Sequence, residues 1–412
     1  MTSYLQKRTL YPPLIKTQPP DDLGMVLVIP AYDEPELIDS LEGLRHCQAP
    51  AQTVEVIVII NHSEKEKPEV KQRNYRCFEQ AMSWSRTLRS DWLHFHILYC
   101  PELPEKHAGV GMARKIGMDE ACRRLEAAGN PDGLIVCFDA DSRCDSNFLR
   151  QIERYFQRYS RTQAASIYFE HPLKGEDFNA ATYRAITLYE LHLRYFINAQ
   201  AWAGLPYAYQ TIGSSMAVRC RSYQKQGGMN RRKAGEDFYF LHKFTMLEEF
   251  GVINSTRVIP SPRPSHRVPF GTGRAIGQLL ANQLEADTYA PAGFVMLRQL
   301  VRQVPQLFQA DFSINIAPPL ATFLQSVNFE ERLSEMRTHT SSPNAFYKRF
   351  FRWFDAFMLM KYVHFIRDHH RANVPVKEAA SWLTEVSGFS TGTDPTVKDL
   401  LQLWRSIDRS ED

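Results

Sequence analysis

Short apolar runs alternate with charged or amphipathic stretches through the first third of the chain, and this alternation most limits the fold. The apolar runs are strand candidates at residues 25–30, 54–60, 93–99 and 134–138. The helix candidates between them lie at residues 34–47, 64–90 and 111–128. Strands that alternate with helices in this way predict a parallel, doubly wound sheet. The ligand site of such a sheet lies at the carboxyl ends of its strands.

Two carboxylates follow the fourth strand candidate, in the sequence Cys137-Phe138-Asp139-Ala140-Asp141. Placed side by side at a strand end, Asp139 and Asp141 repel each other unless a cation lies between them. A hard divalent ion, bound through one or two carboxylates and completed by substrate phosphates, is the usual solution. About one Asp-x-Asp is expected by chance in a chain of this length. The pattern therefore predicts a metal–diphosphate site whose confirmation depends on the surrounding motifs.

Composition sets broad limits on the class of protein. The 412 residues are 44% hydrophobic and 23% charged, which is ordinary for a globular protein, and the formal net charge of +3 does not indicate a nucleic-acid partner. The seven cysteines are odd in number and include no Cys-x-x-Cys, which favours free thiols in a reducing compartment. The N-terminal segment has no apolar stretch typical of a signal peptide, and no apolar run suits a membrane-spanning helix. We therefore expect a cytoplasmic protein.

The sequence predicts three regions along the chain. Residues 1–22 form a polar, proline-bearing N-terminal arm, residues 23–280 a catalytic domain and residues 281–412 a helical C-terminal region. Within the last region, residues 344–369 are aromatic and basic and form the longest periodic helical stretch. This stretch lies on a membrane surface as a peripheral contact, or packs on the catalytic domain. Apolar residues on nearly every face favour packing.

Three further elements carry candidate ligand groups. The first strand ends in Pro30-Ala31-Tyr32-Asp33-Glu34, which is a ligand loop or a proline-broken helix start. The second ends in Asn61-His62, where polar side chains bind a nucleotide base or form a plain turn. Lys106 and Arg114 flank the glycines that open the next helix. A helix N-terminus with basic neighbours suits a phosphate, although a solvated basic face is an equal alternative.

Two later motifs complete the set. Gly235-Glu236-Asp237-Phe238 opens an apolar helix, where the acids either act in catalysis or favour the helix dipole. His266 lies in a loop with prolines before it and glycines after it. A single histidine is usually structural, but one in a hinged loop downstream of a carboxylate pair is a better ligand candidate than most.

The joint order of Val-Ile-Pro-Ala-Tyr-Asp-Glu, Asp-Ala-Asp, Gly-Glu-Asp and a late histidine-bearing loop resembles the family 2 glycosyltransferases of the GT-A fold, over about residues 23–280. The resemblance implies an α/β, GT-A-type doubly wound, mostly parallel sheet, here with a helical C-terminal extension. It implies transfer of a sugar from a nucleotide-diphosphate donor to the hydroxyl of a saccharide or other acceptor. Inversion of the anomeric centre is favoured, and retention stays open.

The resemblance also implies residue roles. Asp139 and Asp141 would hold the donor diphosphate through Mg²⁺ or Mn²⁺, Asp141 most directly, with His266 as a further metal or diphosphate contact. Asp237 would be the general base, supported by Glu236. With the candidates above, the donor side comprises Pro30, Tyr32, Glu34, Asn61, Lys106, Arg114 and Asp139. The acceptor side comprises Trp202, Gly204, Tyr207 and Ser214. Many members carry an acidic pair where this chain has Asn61-His62, so the nucleotide base stays open.

Two other functions fit parts of the sequence. A sugar nucleotidyltransferase also uses a doubly wound sheet and paired carboxylates, but it needs a Gly-rich basic segment where this chain has Ala31-Tyr32-Asp33-Glu34. A binding module for nucleotide sugars without catalysis has no need of a base, which the intact Gly-Glu-Asp at residues 235–237 argues against. Glycosyl transfer is the favoured prediction.

Overall fold

The chain forms two compact units. The computed structural model describes residues 2–247, 249–265, 267 and 271–410. The first unit comprises Met1–Phe178, Thr211–Gly277 and Asp408–Asp412, and the second comprises Asn179–Gln210 and Gln278–Ile407. These units are defined by compactness rather than by independent folding, so the three-region division stays a prediction.

The first unit is built on one mixed sheet. Its strands are β1 (Leu23–Ala31), β2 (Thr53–Ser63), β3 (Leu93–Leu103), β4 (Leu134–Cys137), β5 (Arg143–Cys144), β6 (Ala164–Phe169), β7 (Met216–Arg219) and β8 (Phe250–Ile259). Their order across the sheet is β3-β2-β1-β4-β7-β6-β8-β5. The neighbours from β3 to β4 are parallel, as are β6 and β8, whereas β7 and β5 run antiparallel to theirs. The mostly parallel α/β sheet is confirmed.

Helices precede, connect and follow the strands of this sheet along the chain. Those that precede the second unit in the chain are α1 (Ser3–Lys7), α2 (Leu37–Arg45), α3 (Pro68–Thr87), α4 (Val110–Ala127) and α5 (Phe148–Arg158). The later ones are α6 (Ala180–Ala203), α7 (Cys220–Lys225), α8 (Glu236–Thr245) and α9 (Thr272–Ala281). Of these, α6 belongs to the second unit, and α9 begins in the first unit and ends beyond its boundary.

The helix α4 packs closely on the central strands β1 and β2. The strands β1 and β2 are apolar and buried on both faces, as expected for central parallel strands. A methyl group on Gly117 would lie 2.4 Å from Cγ1 of Val28 and 3.2 Å from Cγ1 of Ile59. Glycine at this position therefore lets the helix approach the two central strands, which holds its first turns at their carboxyl ends.

The second unit is helical, as predicted for the C-terminal region. After α6 it contains α10 (Pro291–Gln303), α11 (Pro318–Ser326), α12 (Phe329–Thr338), α13 (Pro343–Trp353), α14 (Ala356–His369), α15 (Val376–Val386) and most of α16 (Val397–Ser410). A 3-10 turn (Gln306–Phe308) and the paired short strands β9 (Asp287–Thr288) and β10 (Val374–Pro375) complete it. Within the described residues, the search for a helix of membrane-spanning length and hydropathy found none.

The aromatic stretch at residues 344–369 is two helices rather than one periodic segment. The carboxylate of Asp355 caps α14, because its Oδ1 accepts hydrogen bonds from the amides of Phe357 and Met358. Phe346 and Phe350 of α13 are fully buried. These aromatic side chains pack in the interior of the second unit, and a peripheral membrane contact stays a prediction.

The N-terminal arm is anchored to α4 by a buried polar network. The Asp119 carboxylate accepts hydrogen bonds from the hydroxyls of Tyr4 and Tyr223, each at 2.7 Å, and from Nζ of Lys115 at 2.9 Å. Burial raises the pKa of Tyr4, and the charge of Asp119 adds to the effect. Both keep the hydroxyl protonated as a donor. The polar arm predicted from the sequence therefore has a buried attachment point.

We expect Asp119→Ala to lower the free energy of unfolding by about 3–5 kcal/mol, because it leaves the buried Lys115 ammonium without its carboxylate. Tyr4→Phe is the matched control, since it removes one hydroxyl, which costs about 1 kcal/mol, and keeps the ion pair. Urea unfolding followed by tryptophan fluorescence measures both. Equal losses in the two variants would show that the ion pair contributes nothing beyond one hydrogen bond.

Candidate functional site

The sheet reverses its strand order between β1 and β4. From β1 the chain continues to β2 and β3 on one side, whereas β4 lies on the other. Val28 of β1 pairs with Cys137, the last residue of β4, and the two strands are parallel. Ligands of open α/β sheets bind in the crevice outside the carboxyl ends of the strands at such a switch point. The segments 30–34 and 138–141, both predicted to carry the site, therefore leave the sheet at this crevice.

A buried arginine joins three parts of the first unit in this crevice. The side chain of Arg114 in α4 is 3% exposed, and its Nη2 lies 2.5 Å from Oδ1 of Asp139. Its Nη1 donates to the carboxylate of Glu236 at the start of α8. A methyl group on Gly213 would lie 2.5 Å from Nη2 of Arg114, so glycine leaves room for the guanidinium. Arg114 thus holds together the two acidic motifs.

The electrostatic environment keeps Arg114 charged. Burial alone would lower its pKa, but the negative charges of Asp139 and Asp237 outweigh burial and raise the pKa above the usual value. Its Nε is buried and has no hydrogen-bond partner among the residues that the structure describes. A buried donor without a partner is costly, so the site has an unused N–H for an acceptor atom.

Asp237 lies beside this arginine at the first turn of α8. Gly235 has φ 67°, a left-handed conformation that glycine adopts without strain, and it turns the chain into the helix. The Oδ1 of Asp237 accepts a hydrogen bond from the amide of Phe238 at 2.7 Å. Burial raises the pKa of Asp237, and the charge of Arg114 opposes this effect. The carboxylate is therefore a stronger base than a solvated aspartate.

Asp141 belongs to a second cluster of charged side chains, which also contains Glu34, Arg263 and Arg267. Its side chain is 23% exposed and lies 3.5 Å from Nη2 of Arg263. Arg263 also forms an ion pair with the buried Glu34, and Nη1 of Arg267 lies 3.1 Å from Oε2 of Glu34. Loss of solvent around Asp141 raises its pKa to about 7, with further contributions from Asp139 and Glu34. The arginines of the loop after β8 partly neutralise the cluster.

The loop after β1 is held by a separate ion pair. Asp33 has φ 51°, and its carboxylate receives two hydrogen bonds from Arg73, at 2.6 and 2.7 Å. These bonds, opposed by burial, lower the pKa of Asp33. The hydroxyl of Tyr32 donates to Glu66 at 2.8 Å. A non-glycine residue in the left-handed region is uncommon and recurs at functional sites. The neighbouring Pro30 is half-buried.

The other predicted donor residues differ in their surroundings. Asn61 lies near the carboxyl end of β2, at the same edge of the sheet as Asp139, and it is 3% exposed. Lys106 is exposed in the turn before α4. His266 lies outside the described residues, so its predicted role as a metal contact has no structural description. The donor roles of these residues stay predictions.

The predicted acceptor residues divide between the two units. Ser214 belongs to the first unit, where it is buried next to Gly213. Trp202, Gly204 and Tyr207 belong to the second unit. There the ring of Trp202 packs against Trp382 at 5.0 Å between centroids, Gly204 ends α6 with φ 88°, and the hydroxyl of the buried Tyr207 donates to the carbonyl of Phe354 at 2.7 Å. Their contact with an acceptor stays a prediction.

The carboxylates of this crevice suit a divalent ion that is also bound by the phosphates of a ligand. In these two clusters carboxylates outnumber guanidinium groups. Among the residues described, no three His, Cys, Asp or Glu side chains form a group able to hold a metal ion. Mg²⁺ sites commonly use one or two carboxylates, with waters and substrate phosphates as the remaining ligands. Asp141 and Asp139 fit this kind of site, and they do not form a closed protein cage.

Comparisons with known proteins give distant structural similarities. No family model and no curated protein sequence matches the chain. It is similar to S. aureus TarS 1-349 in complex with UDP-GlcNAc, with 11% identity, a TM-score of 0.39 and coverage of 94% of this chain and 88% of that one. The mannosyltransferase PcManGT from Pyrobaculum calidifontis, in complex with GDP-Man and Mn2+, has 12% identity, a TM-score of 0.36 and coverage of 99% and 92%.

A further similarity is to a structure of S. aureus TarS in which 54% of that chain is covered, against 83% of this one, with 13% identity and a TM-score of 0.35. The proteins in these structures are glycosyltransferases or bind a nucleotide sugar, as their names state. TM-scores below 0.5 at such identities carry no argument about function, which therefore rests on the site.

Sequence reasoning missed three arginines that shape the site. Arg73, Arg263 and Arg267 pair with Asp33 and Glu34 although 40 or more positions separate the partners. No local pattern marks such pairs. The only available signal was the placement of Arg263 and Arg267 in the same Pro/Gly loop as His266.

The raised pKa of Asp141 predicts a stability gain on its neutralisation. Near pH 4 the folded protein keeps this carboxyl protonated, and the unfolded chain begins to ionise it. The contribution of Asp141 to stability therefore falls as the pH rises from about 4 to about 7. With chelator present, we expect Asp141→Asn to raise the unfolding free energy at pH 8 by about 2 kcal/mol, after a discount for partial exposure, and to have no effect near pH 4.

Chemical denaturation at both pH values measures this difference. Asp139→Asn is the matched control, because it removes a partner of the buried Arg114 and should destabilise the protein at pH 8. A lower stability of Asp141→Asn at pH 8 would contradict the electrostatic description of the second cluster.

Proposed function

We propose that this protein is a glycosyltransferase that moves a sugar from a nucleoside-diphosphate donor to an acceptor hydroxyl, with a divalent cation at the donor diphosphate. The observation that carries the proposal is the contact of Arg114 with both Asp139 and Glu236 at the switch point, with Asp237 beside it. This contact brings the Asp-Ala-Asp and Gly-Glu-Asp motifs into one crevice. Asp139, which we propose on the donor side, and Asp237, which we propose as the base, both lie beside Arg114, and a transfer reaction needs two such groups close together.

The residues divide into a donor side and a proton-accepting side. Asp141 and Asp139 would hold Mg²⁺ or Mn²⁺, with His266 as a further contact. The ion, when bound, would stabilise the negative charge that develops on the departing nucleoside diphosphate. Arg263 and Arg267 are guanidinium groups that suit phosphate oxygens, and a diphosphate competes with Asp141 and Glu34 for them. Pro30, Tyr32, Asn61 and Lys106 complete the donor side.

Asp237 is the proposed general base. It would accept the proton of the acceptor hydroxyl while the oxygen attacks the anomeric carbon and the sugar–phosphate bond breaks. The pKa of Asp237 is raised by burial, which makes the carboxylate a better proton acceptor near neutral pH. Attack opposite the departing diphosphate inverts the anomeric centre. Glu236, in ion contact with the buried Arg114, supports the position of Asp237. Trp202, Gly204, Tyr207 and Ser214 are proposed on the acceptor side.

The two alternatives are less well supported. A nucleotidyltransferase needs basic phosphate-binding groups in the loop after β1, and this loop instead presents the acidic residues Asp33 and Glu34. A pure binding module has no use for a partly buried carboxylate of raised basicity such as Asp237. For location, the seven cysteines without disulfides support the expected reducing, cytoplasmic compartment.

Donor binding should depend on a divalent ion and on Asp141. UDP, GDP and their sugars are suitable first probes. By isothermal calorimetry we expect the nucleotide that binds with Mn²⁺ to lose about tenfold or more in affinity with EDTA, and Asp141→Asn to lose about as much with Mn²⁺ present. Asp132→Asn is the matched control, because this exposed residue precedes β4 at the opposite end of the strand. Equal affinity with and without chelator would rule out the ion.

Loss of the base should separate catalysis from binding. We expect Asp237→Asn to lower kcat by roughly 10²–10⁴ while the donor Kd stays within about twofold, because the amide keeps the shape and loses the basicity. The assay measures sugar transfer to a mixture of acceptors through the amount of nucleoside diphosphate released. NMR of the product gives its anomeric configuration.

Glu236→Gln serves as the comparison for that experiment. This change removes a carboxylate from the buried Arg114, so it should lower the melting temperature, whereas Asp237→Asn should not. Turnover near the wild-type value in Asp237→Asn would remove this residue from the base role. A product that keeps the donor's anomeric configuration would exclude single displacement.

A further inference from the structure

Two cysteines lie in contact near the acidic site. The Sγ atoms of Cys47 and Cys144 are 3.7 Å apart, although 97 positions separate the residues in the chain. Cys47 follows the C-terminal end of α2, and Cys144 lies in β5, three residues after Asp141. The proposed transfer reaction uses neither thiol. Their contact therefore needs its own explanation.

The two sulfur atoms are in contact but are not bonded. A disulfide has an S–S length of about 2.05 Å, so oxidation has to bring the two Sγ atoms closer together than they are here. The elements that carry them are already connected, since the amide of Gln48 donates to the carbonyl of Ser146 at 2.7 Å and the hydroxyl of Ser40 donates to the carbonyl of Ser142 at 2.8 Å. A disulfide between Cys47 and Cys144 would join two segments that these hydrogen bonds already hold together.

The two thiols differ in exposure and acidity. Cys47 is 7% exposed, and Cys144 is partly exposed. The hydrogen bond between the thiols lowers the pKa of Cys47 and raises the pKa of Cys144. Cys47 is thus the thiol that ionises first, and the thiolate is the reactive nucleophile. By contrast, Cys122 and Cys220 are both fully buried.

We propose that Cys47 and Cys144 form a reversible oxidation site that takes small-molecule disulfides such as glutathione disulfide. The Cys47 thiolate attacks one sulfur of glutathione disulfide, forms a mixed disulfide and releases one glutathione thiolate. The Cys144 thiol, on losing its proton to that thiolate, then attacks Cys47 Sγ and releases the second glutathione as a thiolate, which takes a proton from solvent. Overall, two protein thiols are oxidised and one glutathione disulfide is reduced to two glutathiones.

The bond would join α2 to the segment that carries Asp141. A cross-link between distant positions restricts the unfolded chain and stabilises the folded one, provided that the native geometry accepts it. We therefore expect the oxidised protein to melt at a higher temperature than the reduced protein. This inference does not depend on glycosyl transfer, because it concerns two thiols that the reaction does not use.

The experiment equilibrates the reduced full-length chain in glutathione buffers with rising proportions of glutathione disulfide. Free thiols are then blocked with N-ethylmaleimide, and peptides are mapped by mass spectrometry. We expect a peptide that links Cys47 to Cys144, lost again on treatment with dithiothreitol, together with the rise in melting temperature. Cys47→Ser and Cys144→Ser should each lose both effects, whereas Cys122→Ser should keep them.

Melting curves of the reduced variants confirm that they fold, so a missing link reports on chemistry. Separate alkylation of Cys47 and Cys144 at every buffer ratio would overturn the proposal. A linked peptide that appears only after unfolding in urea would overturn it as well, since any two thiols can meet in an unfolded chain. A linked peptide in Cys47→Ser that involves another cysteine, with the rise in melting temperature retained, would assign the site elsewhere.

Discussion

The buried guanidinium of Arg114 is the interaction on which the rest of the site depends. It comes from α4, which reaches the carboxyl ends of β1 and β2 because Gly117 allows close packing against Val28. It contacts Asp139 after β4 and Glu236 at the start of α8. A buried charge is tolerated only when it is paired, and removal of one partner is costly. Three separate stretches of chain are thereby held in one arrangement.

This pairing gives the neighbouring carboxylates different properties. Asp139 is engaged by Arg114, whereas Asp141 has its pKa raised to about 7 by loss of solvent and by nearby acids. Arg263 and Arg267 offset part of the negative charge around Asp141 and Glu34. A site of this kind gains electrostatic stabilisation from an ion and a diphosphate that arrive together, since the ion pairs with the carboxylates and the phosphates with the arginines.

Much of the fold followed from local pattern in the sequence. The central strands are long apolar runs, so their place in a parallel sheet and the position of Asp139 and Asp141 after β4 were predicted correctly. The strand β8 was not predicted, because Phe250–Ile259 mixes buried and exposed positions with polar residues. The segment 344–369 was predicted as one periodic stretch, and the cap formed by Asp355 divides it into two helices.

The candidate site was predicted less completely, because its contacts join distant positions. The sequence marked Arg114 as a phosphate neighbour but held no sign that it pairs with Glu236, 122 positions away. The ion pair of Arg263 with Glu34 spans 229 positions. Periodicity and spacing describe a single element, whereas such contacts depend on how elements pack.

The central claim is that this crevice binds the diphosphate of a nucleotide sugar together with a divalent ion. The most direct measurement is anomalous diffraction from crystals grown with Mn²⁺ and a nucleoside diphosphate. The account predicts an anomalous signal from a manganese ion that is bound by Asp141 and the diphosphate and lies near Arg114. Nucleotide density elsewhere on the protein, or diphosphate in the crevice without manganese at these carboxylates, would contradict it.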